Sequence, residues 1–256
     1  DLLPKIFHGQ IIHCDAGPSI VRAYPVKPSG AGYTATTVNI LDGAKRDKWF
    51  RPSDVKVAPD GSLIVADWYD PGVGGHRMGD LDRGRLFRIT PKGHKGYKVP
   101  KLKFDTVGGL ITALQNPNNS VRQIAFTELK KRGRAVELSL VKLMASDNSR
   151  MRARALWLLS QIKGNAQNTV ILAANNRDEN IQGMALCIAR QHKLDVIPLI
   201  RELTVNKSAV VRRECLIALR HSKSEEAPAL WAKLANQHDG KDRWYLEALG
   251  LAADKQ

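Results

Sequence analysis

Residues 116–125 read NPNNSVRQIA, 146–155 SDNSRMRARA, 176–185 NRDENIQGMA and 206–215 NKSAVVRREC. The four stretches start thirty residues apart and share one layout. Polar, turn-forming residues come first, then an apolar residue (Val121, Met151, Ile181, Val211), then a small one four positions on (Ala125, Ala155, Ala185, Cys215). Leu129, Leu159, Ala189 and Leu219 follow after another four, so the three positions share one face of a helix. Leu110, Leu140, Val170, Ile200 and Leu230 keep the same period, as do Leu114, Met144, Ala174, Thr204 and Leu234, and place a second helical stretch in each period. Trp244 and Ala248 continue the series after a longer step of thirty-three. The Asn, Asp and Ser residues at the breaks are natural helix N-caps. A fixed period of about thirty residues with two helices in each predicts an α-solenoid, because one helix pair cannot bury its apolar face alone and stacked pairs can.

Arg122, Arg152 and Arg212 stand directly after the apolar position, with Gln182 in the third period. This cap–x–Val-Arg–x–x–Ala layout resembles HEAT-type repeats of the short bacterial kind, and five two-helix repeats are predicted across 106–256. Arginines that recur at one structural position point to a ladder, each pairing with cap Asp or Asn residues of neighbouring repeats. A track of cations laid along nucleic-acid phosphates is the competing and weaker reading.

Upstream of the repeats the composition changes. No Glu precedes Glu128, while residues 1–105 hold eleven Asp and thirteen of the twenty Gly. Asp and Gly favour turns and Glu favours helix. Strands are predicted in Ser19–Val26 and Tyr33–Leu41, joined by the turn KPSGAGY. Two more flank Pro59-Asp60-Gly61 within Asp54–Asp67, and another covers Gly84–Thr90. Short strands and tight turns suggest propeller blades. The predicted fold class is therefore mixed and two-part: an all-β partial β-propeller, its last one to two blades, over 1–105, then an all-α HEAT-like solenoid over 106–256. A propeller needs at least four blades, so this reading expects the rest of the ring upstream of residue 1.

The chain of 256 residues carries 40 Lys+Arg against 25 Asp+Glu, a formal charge of +15 spread over both parts, which favours anionic partners. Mean hydropathy is -0.30, and no apolar run approaches the roughly 18 residues of a transmembrane helix. Cys14, Cys187 and Cys215 form no CxxC or CxxCH motif and are predicted to be buried free thiols. P-loop, GxGxxG, HExxH and nucleophile-elbow motifs are missing, which removes the common nucleotide, zinc-protease and serine-hydrolase chemistries.

The loop Asp67–Asp80 concentrates polar, aromatic and glycine residues at a strand end. His76 is the candidate base, and Asp67, Asp70 and Asp80 are candidate Ca²⁺ ligands or partners of that His. Trp68 and Tyr69 offer aromatic faces to a cofactor. His13 and Asp15 end another strand and could face the same mouth, His13 towards a cofactor and Asp15 towards a metal. Arg51 could meet a carboxylate or an anionic substrate.

WFRPSDV at 49–55, DWYDPGVGGH at 67–76, HCDAGP at 13–18 and GAGY at 30–33 together resemble the end of the propeller in the bacterial membrane-bound dehydrogenase family. Those propellers are similar to sorbosone and quinoprotein glucose dehydrogenases, and HEAT repeats and a c-type haem domain follow them. The resemblance implies a fragment of a quinoprotein-like sugar or alcohol dehydrogenase using pyrroloquinoline quinone (PQQ) and Ca²⁺, with His76 and Arg51 catalytic. Electrons would pass to a haem domain outside this chain, and the protein would be exported or periplasmic. The alternative is a non-catalytic scaffold that binds a protein partner on its helical repeats.

Overall fold

The computed structural model describes residues 2–72, 82–98 and 100–254. Eight strands come first: β1 (Ile11–Asp15), β2 (Ile20–Tyr24), β3 (Val26–Ser29), β4 (Gly32–Ala35), β5 (Val38–Asp42), β6 (Pro52–Val57), β7 (Leu63–Asp67) and β8 (Arg85–Ile89). Helices follow in pairs: α1 (Val107–Ala113) with α2 (Asn119–Arg132), α3 (Glu137–Leu143) with α4 (Ser149–Ser160), α5 (Ala166–Ala174) with α6 (Glu179–Gln191), α7 (Ile197–Leu203) with α8 (Ala209–Leu219), and α9 (Ala227–Ala235) with α10 (Arg243–Ala253).

The strands form three small antiparallel sheets ordered β1-β2-β5, β3-β4 and β6-β7-β8. The expected strand Tyr33–Leu41 is divided between β4 and β5, and Ser19–Val26 forms β2; β3 shares only Val26 with it and takes Lys27, Pro28 and Ser29 from the expected turn. β2 pairs with β5, and β3 with β4. Pro25 sits at the break; it has no N–H to give, and its carbonyl accepts from Thr36 N at 3.0 Å. The Pro59-Asp60-Gly61 turn joins β6 to β7. Gly61 takes φ +88°, and Asp60 Oδ1 accepts from Ser62 N at 3.0 Å.

The partial propeller followed by a solenoid is overturned. Among the described residues no sheet has the four strands of a blade and no ring closes; the chain is a mixed α/β protein. Nor do its compact units separate strands from helices. One unit holds Asp1–Lys27 and Thr34–Ala125, so it takes α1 and the start of α2 along with two of the sheets; the other holds Pro28–Tyr33 and Phe126–Gln256. The reason is a set of side-chain hydrogen bonds that composition does not reveal. In the first unit the turn before α2 binds the β6–β7 hairpin: Asn116 Nδ2 donates to Pro59 O at 3.1 Å and Asn118 Nδ2 to Val57 O at 2.5 Å. The core of that unit lies between its two three-stranded sheets, where Val21, Phe50 and Val65 are buried against Ile12, Leu41, Val55, Phe87 and Ile89.

In the second unit α4, α6, α8 and α10 are neighbours in chain order. The period-thirty positions Leu140, Val170, Ile200 and Leu230 are buried, as are Met151, Ile181 and Val211 and the small residues Ala155, Ala185, Cys215 and Ala248. The fifth step differs from the expected register. Tyr245, 1% exposed, takes the buried place assigned to Trp244, which is 50% exposed. The indole of Trp244 instead donates to Tyr33 O at 3.0 Å. Asp242, the α10 N-cap, accepts from Tyr245 N and, through its other oxygen, from Ala31 N at 2.6 Å; Ala31 O accepts from Arg213. Ala31 is fully buried in the core with Val211, Cys215 and Tyr245.

The first four helix pairs share a cap contact. The side chain of Asn116, Ser146, Asn176 or Asn206 accepts from the backbone N–H two residues on. Six residues beyond, Arg122 Nη1 folds back on Asn116 O and Pro117 O at 2.6 and 2.7 Å. Arg152 does so on Ser146 O and Asp147 O at 2.9 and 3.2 Å, and Arg212 on Asn206 O and Lys207 O at 2.7 and 2.9 Å. Gln182 fills the place of the missing arginine, donating to Ala174 O at 3.3 Å. The same residues reach the following turn, Arg152 by an ion pair with Asp178 at 2.7 Å and Gln182 by accepting from Asn206 Nδ2 at 3.0 Å.

The close approach at the hairpin tip gives a direct test. A Cβ on Gly32 would run into the Trp244 indole, whereas one on Gly250, in α10, meets nothing. Gly32→Ala should cost the second unit about 1–3 kcal/mol in urea unfolding. Gly250→Ala should add roughly 0.5–1 kcal/mol through helix propensity.

Candidate functional site

Asp67 closes β7 and is the centre of the first unit's polar cluster. Its side chain is fully buried. Oδ1 accepts from Arg51 N at 2.7 Å and from Tyr69 N at 3.0 Å, and Oδ2 meets the Arg85 guanidinium at 2.6 Å. Arg85 opens β8, directly across the ladder from Asp67. It also pairs with Asp47 at 2.9 Å and lies 3.9 Å from the centre of the Tyr69 ring. The hydrogen bond from Arg85 holds the Asp47 carboxyl below the ordinary aspartate range. Burial alone would lower the Arg85 value, but its bonds to Asp47 and Asp67 outweigh this and raise it. Tyr69 takes φ +52°, a left-handed conformation costly for a ring-bearing residue, and the Asp67 bond to its N–H helps hold it.

The expected site residues do not converge on a ligand. Arg51 donates through Nη1 to Ser19 Oγ at 2.7 Å and Phe50 O at 3.1 Å, and through Nη2 to Pro71 O at 3.3 Å, so its guanidinium ties loops together. Asp70 is buried, and its Oδ1 accepts from Gly72 N at 2.7 Å. Asp15 pairs with Arg22 at 2.9 Å on neighbouring strands. His13 is exposed on β1, with its ring 6.2 Å from that of Tyr24. Trp68 is exposed. His76 and Asp80 lie outside the described residues.

Asp67 is thus held by Arg85 and two backbone N–H groups, Asp70 accepts from the Gly72 N–H, and Asp15 is ion-paired. Among the described residues no three His, Cys, Asp or Glu side chains come together to hold a metal. Arg51, Asp67, Asp70 and Asp15 are turned onto their own loops and strands, and no chemical step is derived through the Ca²⁺ or quinone that the family resemblance implies.

The cysteines are free. Cys215 is buried and Cys14 and Cys187 are half-buried; burial pushes the thiols of Cys14 and Cys187 up to about 11 and that of Cys215 up to about 12, which favours the protonated form.

Sequence reasoning missed a cleft beside the cluster, between β5 and β8, with a volume of about 490 Å³. Leu41, Phe50, Phe87 and Ile89 form apolar walls; Asp42, Arg46, Asp47 and Arg85 are its charged groups. Only the antiparallel pairing, which sets the first residue of β8 against the last of β7, could have marked Arg85 as the partner of Asp67.

The family model described as Domain of unknown function (DUF7133) matches residues 1–93, the stretch that holds β1 to β8. A similar curated protein is the long-chain-fatty-acid–AMP ligase FadD26 of Mycobacterium marinum, 27% identical over 130 residues, or 50% of this chain. The match spans 20% of the ligase's own length.

If Asp67 is a structural keystone, its two oxygens should be separable. Asp67→Ala leaves two backbone N–H groups and Arg85 without their acceptor and should cost about 3 kcal/mol or more in urea unfolding. Asp67→Asn keeps one carbonyl oxygen for the N–H groups and should lose less than half of that.

Proposed function

We propose that this chain is a non-catalytic interaction module that holds a protein partner on its helical unit. One observation carries the reading. Leu138 and Val141 on α3 and Ile171 and Leu172 on α5 stand 45–67% exposed, and Val141 and Ile171 occupy equivalent places thirty residues apart. A hydrogen bond from Asn165 Nδ2 to Glu137 Oε1 at 3.3 Å joins the starts of the two helices, and we take these exposed side chains together as one apolar ridge. An apolar ridge of this kind marks a protein contact more often than chance exposure does. The exposed Lys142 beside it and the +15 chain favour a partner with an apolar contact patch and an acidic rim.

On the resemblance to the membrane-bound dehydrogenase family, that partner is a haem domain or another redox protein, and this chain positions it without carrying the redox step. The engagement of Arg51, Asp67, Asp70 and Asp15 in loop contacts supports a positioning role over a catalytic one. Nucleic acid is disfavoured, because Arg122, Arg152 and Arg212 each turn Nη1 back onto the carbonyls of their own turns. No helix of the described residues is long and apolar enough to cross a membrane.

Affinity capture from native extract tests the reading with three forms of the chain. A partner retained by wild type and by the control Leu251→Glu should be lost at least tenfold, about 1.4 kcal/mol, from the double variant Val141→Glu, Ile171→Glu at unchanged circular dichroism. Equal retention by the ridge variant overturns the reading.

A further inference from the structure

The cleft between β5 and β8 has a property its volume alone does not convey: both flanking strands are sheet edges. Among the described residues β8 is paired on one side only, by β7. Its other side offers backbone N–H and C=O groups to whatever lies next to it. Alternate side chains divide it cleanly. Arg85, Phe87 and Ile89 line the cleft, while Leu86 points away and is 77% exposed, the most exposed large apolar residue of the described chain. The strand therefore shows a part-buried apolar row, Phe87 and Ile89, towards the cleft and an exposed Leu86 on its other face, beside a backbone edge that an incoming strand could cover. The edge of β5 is less suited, since its exposed residues are Asn39 and Asp42.

Charge narrows the occupant. The lining holds two cations, Arg46 and Arg85, and two anions, Asp42 and Asp47. The cleft is thus formally neutral within a chain of +15. Arg85 is already neutralised by Asp47 and Asp67, and Arg88 on the outer face by Asp60 at 3.4 Å. Such a site does not select phosphates or acidic segments; it selects an uncharged chain that satisfies the strand edge and fills an apolar trough.

We propose that this cleft binds an extended, uncharged, β-branched-rich peptide segment of another protein, which adds a fourth strand to β8 and seats alternate apolar side chains against Phe87 and Ile89. The site is separate from the helical ridge.

The test uses the full chain and a pooled library of end-blocked hexapeptides with Val, Ile, Leu or Phe at alternate positions and Thr or Ser between. The best binder should protect amides within residues 85–89 from hydrogen exchange. Its version N-methylated at alternate amides should bind at least tenfold more weakly. The ridge variant Val141→Glu, Ile171→Glu should bind the peptide as wild type does, so that failure here and failure of the scaffold reading are told apart. Three results overturn the proposal: no library member bound at about 1 mM, equal binding of the N-methylated peptide, or protection that spares 85–89.

Discussion

A helix leaves its last carbonyls and first N–H groups without partners inside the helix, and a short turn between two helices concentrates both kinds in a few residues. Here one arrangement meets that demand again and again. A cap side chain takes the N–H groups, and a guanidinium six residues after the start of the turn takes the carbonyls of its first two residues, as Arg152 does with Ser146 and Asp147. The spacing is set by helix geometry: Arg152 lies on the first turn of α4, from which its side chain reaches back to the chain that entered the helix. Gln182 makes a different contact in the third turn: it donates to Ala174 O, at the end of α5, and accepts from Asn206 Nδ2. The core packing of α4, α6 and α8 rests on these turns, because they fix the angle at which each long helix leaves its partner.

The sheet unit solves a similar problem with the opposite charge. The segment between β7 and β8 must leave a buried strand end, and Asp67 supplies acceptors to the N–H groups of Arg51 and Tyr69 while its second oxygen anchors Arg85. Residues that look like a ligand constellation in the sequence are consumed in holding their own loops. What stays available to other molecules is mainly apolar: the ridge on α3 and α5 and the trough beside β8.

The helical period was legible because burial enforces it. Leu140, Val170, Ile200 and Leu230 are all in the core, and a core position cannot drift without leaving a cavity or a clash. The fifth step was misread by one residue because Trp244 and Tyr245 are both large and aromatic, and only contact with the hairpin tip decides which turns inward. The fold class was misread for a related reason. Asn116 and Asn118 bind the β6–β7 hairpin, and Asp242 binds Ala31, over sequence separations that local composition does not register. Among the candidate site residues, Asp67 pairs with Arg85, a partner the sequence does not reveal, because a buried Asp at a strand end reads alike whether it meets a metal or an arginine.

The claim that the arginine turn contact governs the helical unit is tested most directly at Arg152, by urea unfolding of Arg152→Ala, Arg152→Lys and Arg152→Gln. Two carbonyl bonds and the Asp178 ion pair are at stake. The account predicts a loss of about 2–3 kcal/mol for Ala, with Gln recovering about half of it, as the natural Gln182 implies, and Lys recovering less for want of a planar fork. A loss below about 0.5 kcal/mol for Ala, or full recovery by Lys, would contradict the account. The first result would make the arginine ladder a surface feature, and the second would make it a matter of charge alone.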